Sequence, residues 1–164
     1  MSNKAISLVL GSGGARGLAH VGVIRWLEEN GHEIRSISGC SIGSLIGGAH
    51  AAGKLDAVVE WMESFTKKEI YSMLDLSFTW NSLVKGDKMM AAIQSKVGTD
   101  LIEDLPIKFT AVAANIAAKK EHWFQSGAID QAIRASVSLP LFFTPHNVGG
   151  VQLTDGGRLK PHPH

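Results

Sequence analysis

The run Gly39-Cys40-Ser41-Ile42-Gly43 holds one hydroxyl between two glycines. A short apolar segment, Ile34 to Ile37, runs into it, and a small-residue helical stretch, Ser44 to Ala52, leaves it. This is the layout of a nucleophile elbow. A strand-to-helix turn of that kind holds the serine out at the carboxyl edge of a sheet, in a strained conformation that only glycine neighbours tolerate. A serine hydroxyl is inert by itself, so the chemistry needs two further parts: an oxyanion site and a base.

Gly11-Ser12-Gly13-Gly14-Ala15-Arg16-Gly17 supplies a candidate for the first. It follows the apolar run Ala5 to Leu10, which reads as a buried strand. It precedes Leu18, Val21, Ile24 and Leu27, which share one helical face up to Glu28-Glu29-Asn30-Gly31. A strand, glycine loop and helix in that order point backbone N–H groups and a positive helix end at one spot, which is an anion site. The anion could be a phosphate or an oxyanion. A dinucleotide fingerprint would need glycines at three set positions. The frame from Gly11 puts Arg16 at the third, and the frame ending at Gly17 puts Ser12 at the first. Neither that fingerprint nor the Gly-Lys-Ser/Thr of a phosphate-binding loop is present, which favours the oxyanion.

Asp155, at the end of the short run Val151 to Thr154 and ahead of Gly156-Gly157, is the candidate base. An Asp-Gly turn in a hairpin is its plain structural explanation. Cys40 is the only cysteine, which excludes an intramolecular disulfide and a cysteine metal site. As a thiol beside the elbow it competes with Ser41 for the nucleophile's role, but Ser41 holds the central position. His20, His32, His50, His122 and His146 stand in no motif, so core or surface roles are expected of them.

The elements must bring these parts together. A right-handed crossover between the strand at Ala5–Leu10 and one at Ile34–Ser38 would make them parallel and set the glycine loop and Ser41 on the same sheet edge. Further helices are expected at Leu55–Phe65, Met89–Val97 and Ile129–Ala135. A buried strand is expected at Lys108–Ala114, with Glu121–Gln125 pairing beside it. Ser72–Asp87 lacks a clean period and reads as an irregular connection, with a lid or acyl-pocket wall as its functional alternative. The two prolines in Ser136–Pro145 suggest a rigid turn.

Sixteen Lys and Arg against fifteen Asp and Glu leave a net charge near +1, with no basic run to suit nucleic acid. The chain's 164 residues suit one domain with one core. The apolar run after Lys4 is too short for a signal-peptide core, and no segment reaches the ~20 apolar residues of a membrane span. The cytoplasm is the expected location, peripheral to a membrane if the apolar Leu76–Leu83 region touches one.

Four blocks, in order, resemble the patatin-like acyl hydrolases, most closely the small bacterial members. They are Gly11 to Gly17, Gly39 to Ser44, Ala132-Ile133-Arg134-Ala135-Ser136-Val137-Ser138-Leu139-Pro140, and Asp155-Gly156-Gly157. The resemblance runs from about Ile6 to Gly157. It implies an α/β fold, a three-layer α/β/α sandwich with a mainly parallel central sheet. Residues 1–164 would form a single patatin-like domain that stops short of the family's C-terminal part. It further implies a Ser-Asp dyad without histidine, with Ser41 the nucleophile and Asp155 the base. Backbone N–H groups of Gly13, Gly14, Ala15 and Arg16 would bind the oxyanion, and Gly39, Gly43, Gly156 and Gly157 would complete the motifs. No cofactor or metal is implied. The substrate would be a lipid or simple ester, and the resemblance leaves the oligomeric state open. Ser12 stands where the family often has a glycine, and Lys160 where it usually has asparagine. Two alternatives remain at this level: an α/β-hydrolase triad completed by His162 or His164, and a non-catalytic protein of the same fold that binds acyl chains or a partner.

Overall fold

The computed structural model describes residues 4–66, 80–115, 118–137, 146–148 and 151–155. The side chains of Ala15, residues 80–88, 146–148 and 151–155 are outside that description. In chain order the elements are β1 (Lys4–Leu10), a 3-10 helix (Gly14–Leu18), α1 (Ala19–Glu29), β2 (His32–Cys40), α2 (Ile42–Ala51) and α3 (Leu55–Glu63). There follow α4 (Trp80–Val97), a short 3-10 turn (Ile102–Asp104), β3 (Lys108–Asn115), β4 (Lys120–Phe124), α5 (Ile129–Val137), β5 (His146–Val148) and β6 (Val151–Asp155).

β1, β2 and β3 lie side by side and parallel, from Lys4 opposite His32 to Cys40 opposite Val112, with a one-residue shift in the β1–β2 register between Ile6 and Ser7. This is the arrangement expected of the first crossover, and it puts the loops after β1 and β2 at one edge. β4 pairs with β3, as expected of Glu121–Gln125, and runs antiparallel to it; β6 and β5 complete the sheet, also antiparallel. Along β1, Ile6, Leu8 and Leu10 face the packed side, while Ala5, Ser7 and Val9 are exposed, the alternation a strand imposes.

The core lies between the sheet and the helices. Leu10, Ile24, Ile37, Ile46, Val58, Phe109, Ile129 and Ile133 meet there. α2 sits at its centre and is buried from Gly43 through Ala49. Its sequence, Ile-Gly-Ser-Leu-Ile-Gly-Gly-Ala-His-Ala, is poor in intrinsic helix propensity, since each interior glycine costs about 1 kcal/mol relative to alanine. Close approach is what the glycines provide. A Cβ on Gly47 would stand 2.7 Å from Ile37, and one on Gly48 2.9 Å from Ile133. Burial on both faces offsets the weak propensity.

α2 ends in a Schellman motif. Lys54 N–H reaches the Ala49 carbonyl at 2.7 Å and Gly53 N–H the His50 carbonyl at 2.9 Å, with Gly53 at φ 68. Lys54 then donates its ammonium to the Val97 carbonyl at 2.9 Å and to the Asp100 carboxylate, capping the C-terminal end of α4.

The expected irregular stretch Ser72–Asp87 needs one correction. Trp80 to Asp87 belong to α4, which starts nine residues before the periodic segment at Met89. Residues 72–79, and with them the first half of the apolar region at 76–83, lie outside the described residues. So do 138–145 of the proline-bearing stretch, of which Ser136 and Val137 continue α5.

Gly22 tests how the glycines divide. It is an exposed residue inside α1, and a Cβ there would meet nothing within 4 Å. Gly22→Ala is expected to raise stability by about 0.5–1 kcal/mol through helix propensity alone. A urea midpoint that rises at constant slope would show it.

Candidate active site

Ser41 is the N-cap of α2 and the only residue between that helix and β2. Its backbone stands at φ 54 and ψ −127, a region that costs a non-glycine residue on the order of 1–3 kcal/mol. Serine is a favoured N-cap, yet here its hydroxyl makes no capping bond to α2. The helix end is closed instead by Ser44, whose N–H and hydroxyl both donate to the Ser41 carbonyl, at 2.9 and 2.8 Å, and by Leu45 N–H at 3.2 Å. The Ser41 hydroxyl is half-buried at the positive end of α2's dipole.

The two flanking glycines answer to steric demands. A Cβ on Gly39 would collide with the Gly43 carbonyl and lie 2.7 Å from Ser44 N. A Cβ on Gly43 would strike the Leu10 carbonyl oxygen and approach the Gly11 oxygen at 2.7 Å. The start of α2 therefore rests directly on the end of β1 and the first residue of the glycine loop. Gly17 makes a second contact of this kind, its Cα lying against the Ile42 side chain. Two loops that are far apart in sequence are thus locked together through glycines.

Within the glycine loop, Arg16 N–H donates to the Gly13 carbonyl at 3.1 Å and closes the first turn of the 3-10 helix. Of the four expected donors, Arg16 has its N–H engaged inside the loop. Gly14 adopts φ 54, which glycine accepts without strain. The loop's entry is fastened by His20, whose Nε2 donates to the Gly11 carbonyl at 2.9 Å. Among the other histidines given core or surface roles, His32 stacks on Trp26, His50 Nε2 lies 3.3 Å from the Glu28 carboxylate, and His122 packs edge-on against Phe124.

The place of Asp155 follows from strand register. β3 has β4 along one side from Ala111 to Asn115. Its other side is taken by β2 up to Cys40 opposite Val112, and then by β6, with Asp155 opposite Ala113. β6 therefore runs head-on into the end of β2. Asp155 occupies the rung that Ser41 would have filled had β2 continued. The backbone positions of Ser41 and Asp155 meet at the sheet edge that carries the glycine loop. Gly156 and Gly157 lie outside the described residues, as do His162 and His164 of the triad alternative.

By sequence Ser136 belongs to a motif block and to the proline-bearing stretch, with no role of its own. It is wholly buried near the end of α5 and bonds both to the elbow and to β3. Nothing in its local sequence reveals this, because the contact joins residues ninety-five positions apart. Among the described residues no cluster of His, Cys, Asp or Glu could hold a metal ion, and no helix is long and apolar enough to cross a membrane.

An α/β fold with a strained serine between β2 and α2, seated against a glycine loop, defines an elbow-type protein. The chain belongs to the patatin-like phospholipase family, whose model matches residues 8–164. It is 46% identical over 162 residues to an uncharacterised NTE family protein of Mycobacterium tuberculosis, covering 99% of this chain and 45% of the relative. It is 36% identical over 163 residues to lysophospholipase NTE1 of Candida albicans, covering 97% of this chain and 12% of that protein. VipD of Legionella pneumophila has the same fold, with a TM-score of 0.66 at 16% identity, over 99% of this chain and 47% of that one. The chain thus spans under half the length of these relatives.

Proposed function

We propose that this chain carries the catalytic machinery of a serine acyl-ester hydrolase acting on lipids, with Ser41 the nucleophile and Asp155 its base. The observation that carries this is the head-on meeting of β6 with β2, which brings Asp155 to the rung beside Ser41. In this mechanism Ser41 Oγ attacks the acyl carbonyl as its proton passes to the Asp155 carboxylate. The tetrahedral oxyanion is held by backbone N–H groups of the glycine loop, Gly13, Gly14 and Ala15 foremost, since the Arg16 N–H is bonded to the Gly13 carbonyl. Collapse expels the alcohol, which takes the proton from Asp155. Water, activated by the same carboxylate, then releases the fatty acid.

An aspartate with an ordinary pKa of about 3.9 is a feeble base for a hydroxyl. The oxyanion donors must therefore supply much of the barrier lowering, each typically worth about 2.7–4 kcal/mol. A lysophospholipid is the substrate class proposed first, because yeast relatives are named lysophospholipases. The site would act at a membrane surface only transiently, and the cytoplasm remains its proposed location.

The test is hydrolysis of lysophosphatidylcholine and of a p-nitrophenyl ester by the purified chain and by Asp155→Asn. Loss of a positioned base is expected to lower kcat by about 10²–10⁴-fold. Equal turnover by Asp155→Asn would exclude the dyad, and no turnover of any ester by the wild-type chain would favour the non-catalytic alternative.

A further inference from the structure

The elbow interrupts a parallel ladder, and the interruption has consequences for hydrogen bonding. β2 pairs with β3 as far as Cys40 opposite Val112, and then the chain turns away at Ser41. From Ala113 onward β6 takes β2's place. Ser41 N–H and the Val112 carbonyl are the groups at this break, and buried backbone groups need partners. Ser136 stands in the gap. Ser41 N–H donates to Ser136 Oγ at 2.9 Å, and Ser136 Oγ donates to the Val112 carbonyl at 2.7 Å. A side-chain hydroxyl thus replaces the missing rung, and both distances are those of well-formed bonds.

We infer that Ser136 is a positioning residue for the nucleophile, an inference that rests on the assignment of that role to Ser41. The peptide group after Ser41 is clamped by Ser44 and Leu45 through the Ser41 carbonyl. The peptide group before it is clamped by Ser136 through the Ser41 N–H. With both planes fixed, the backbone is held at φ 54, and the hydroxyl has only its own rotamer to choose. Ser136 is fully buried and is not a surface that substrate could touch. Its effect belongs in kcat and not in KM.

The experiment compares Ser136→Ala, Ser136→Thr and Ser41→Ala with the wild-type chain on a p-nitrophenyl ester, each normalised to folded protein. Small misplacement of a reacting group can cost on the order of 100-fold, so kcat of Ser136→Ala is expected to fall by roughly 10- to 100-fold with KM nearly unchanged. Ser136→Thr, which keeps the hydroxyl, is expected to recover most of that loss. A hydroxyl that merely filled the core would lower the melting temperature and leave kcat alone, and that result overturns the inference. Amide hydrogen exchange of the wild-type chain gives a second reading that needs no variant. Ser41 N–H is expected to be protected through Ser136, and free exchange at that amide overturns the inference even if Ser136→Ala does not fold. Full hydrolysis by Ser136→Ala alongside an inactive Ser41→Ala removes only the role of Ser136. Hydrolysis surviving in Ser41→Ala removes the nucleophile assignment itself.

Discussion

Ser41→Ala is expected to abolish ester hydrolysis, lowering kcat by at least about 10³-fold, while leaving the fold intact. The hydroxyl makes no capping bond to α2, and the helix end is closed through the Ser41 carbonyl, which alanine retains. The strain at φ 54 persists in alanine, because its Cβ meets the same backbone. Ser41→Gly separates the two effects. It removes the nucleophile and also relieves a strain of about 1–3 kcal/mol, against an entropic cost of about 0.5–1 kcal/mol for the more flexible unfolded chain. The glycine variant is therefore expected to be inactive and about 1 kcal/mol more stable than the alanine variant. Denaturation curves of the two proteins decide this. A glycine variant about 0.5–1 kcal/mol less stable than the alanine variant would mean that the elbow holds no strain.

Gly43→Ala is expected to be severely damaging for a single added methyl. The added carbon would enter the carbonyl oxygens of Leu10 and Gly11, which are backbone atoms at the end of β1 and cannot rotate away. To make room, α2 would have to lift off the strand it packs on. Overpacking of this kind is expected to cost about 3 kcal/mol or more. It would also move Ser41 relative to the glycine loop, so turnover should fall on the order of 100-fold even in protein that stays folded. Gly17→Ala is the control. There the obstacle is the Ile42 side chain, which can change rotamer, so a smaller loss is expected at the same interface. Thermal melts and kcat measured on both variants separate backbone collision from side-chain adjustment.

The division between what was legible in the residues and what was not follows the range of the interactions. β1, α1, β2 and α2 could be read because each carries its own apolar period or glycine boundary. The parallel pairing of β1 with β2 follows from one crossover of fixed hand. The first half of α4 was hidden because Lys85-Gly86-Asp87-Lys88 interrupts the apolar spacing between Leu83-Val84 and Met89. β5 is three residues long and carries no signal of its own. The meeting of β6 with β2 is a long-range event, set by which side of β3 each strand occupies, and no local pattern encodes it. Ser136 was missed for the same reason: a buried serine in a helix looks like a small packing residue until the carbonyl and N–H that it bridges are located. His20 lacked motif context too, although it follows the glycine loop within the same helical unit and bonds back to the residue that begins the loop.

Covalent labelling tests the central claim, that Ser41 is the acyl-accepting nucleophile, most directly. The purified chain would be reacted with a fluorophosphonate, digested with trypsin and mapped by mass spectrometry. The relevant peptide runs from Ser36 to Lys54 and contains Ser36, Ser38, Cys40, Ser41 and Ser44, so fragmentation must assign the adduct to one residue. A single adduct at Ser41, absent from Ser41→Ala, is the expected result. Labelling at Cys40 or at another serine, in protein that hydrolyses an ester, would contradict it.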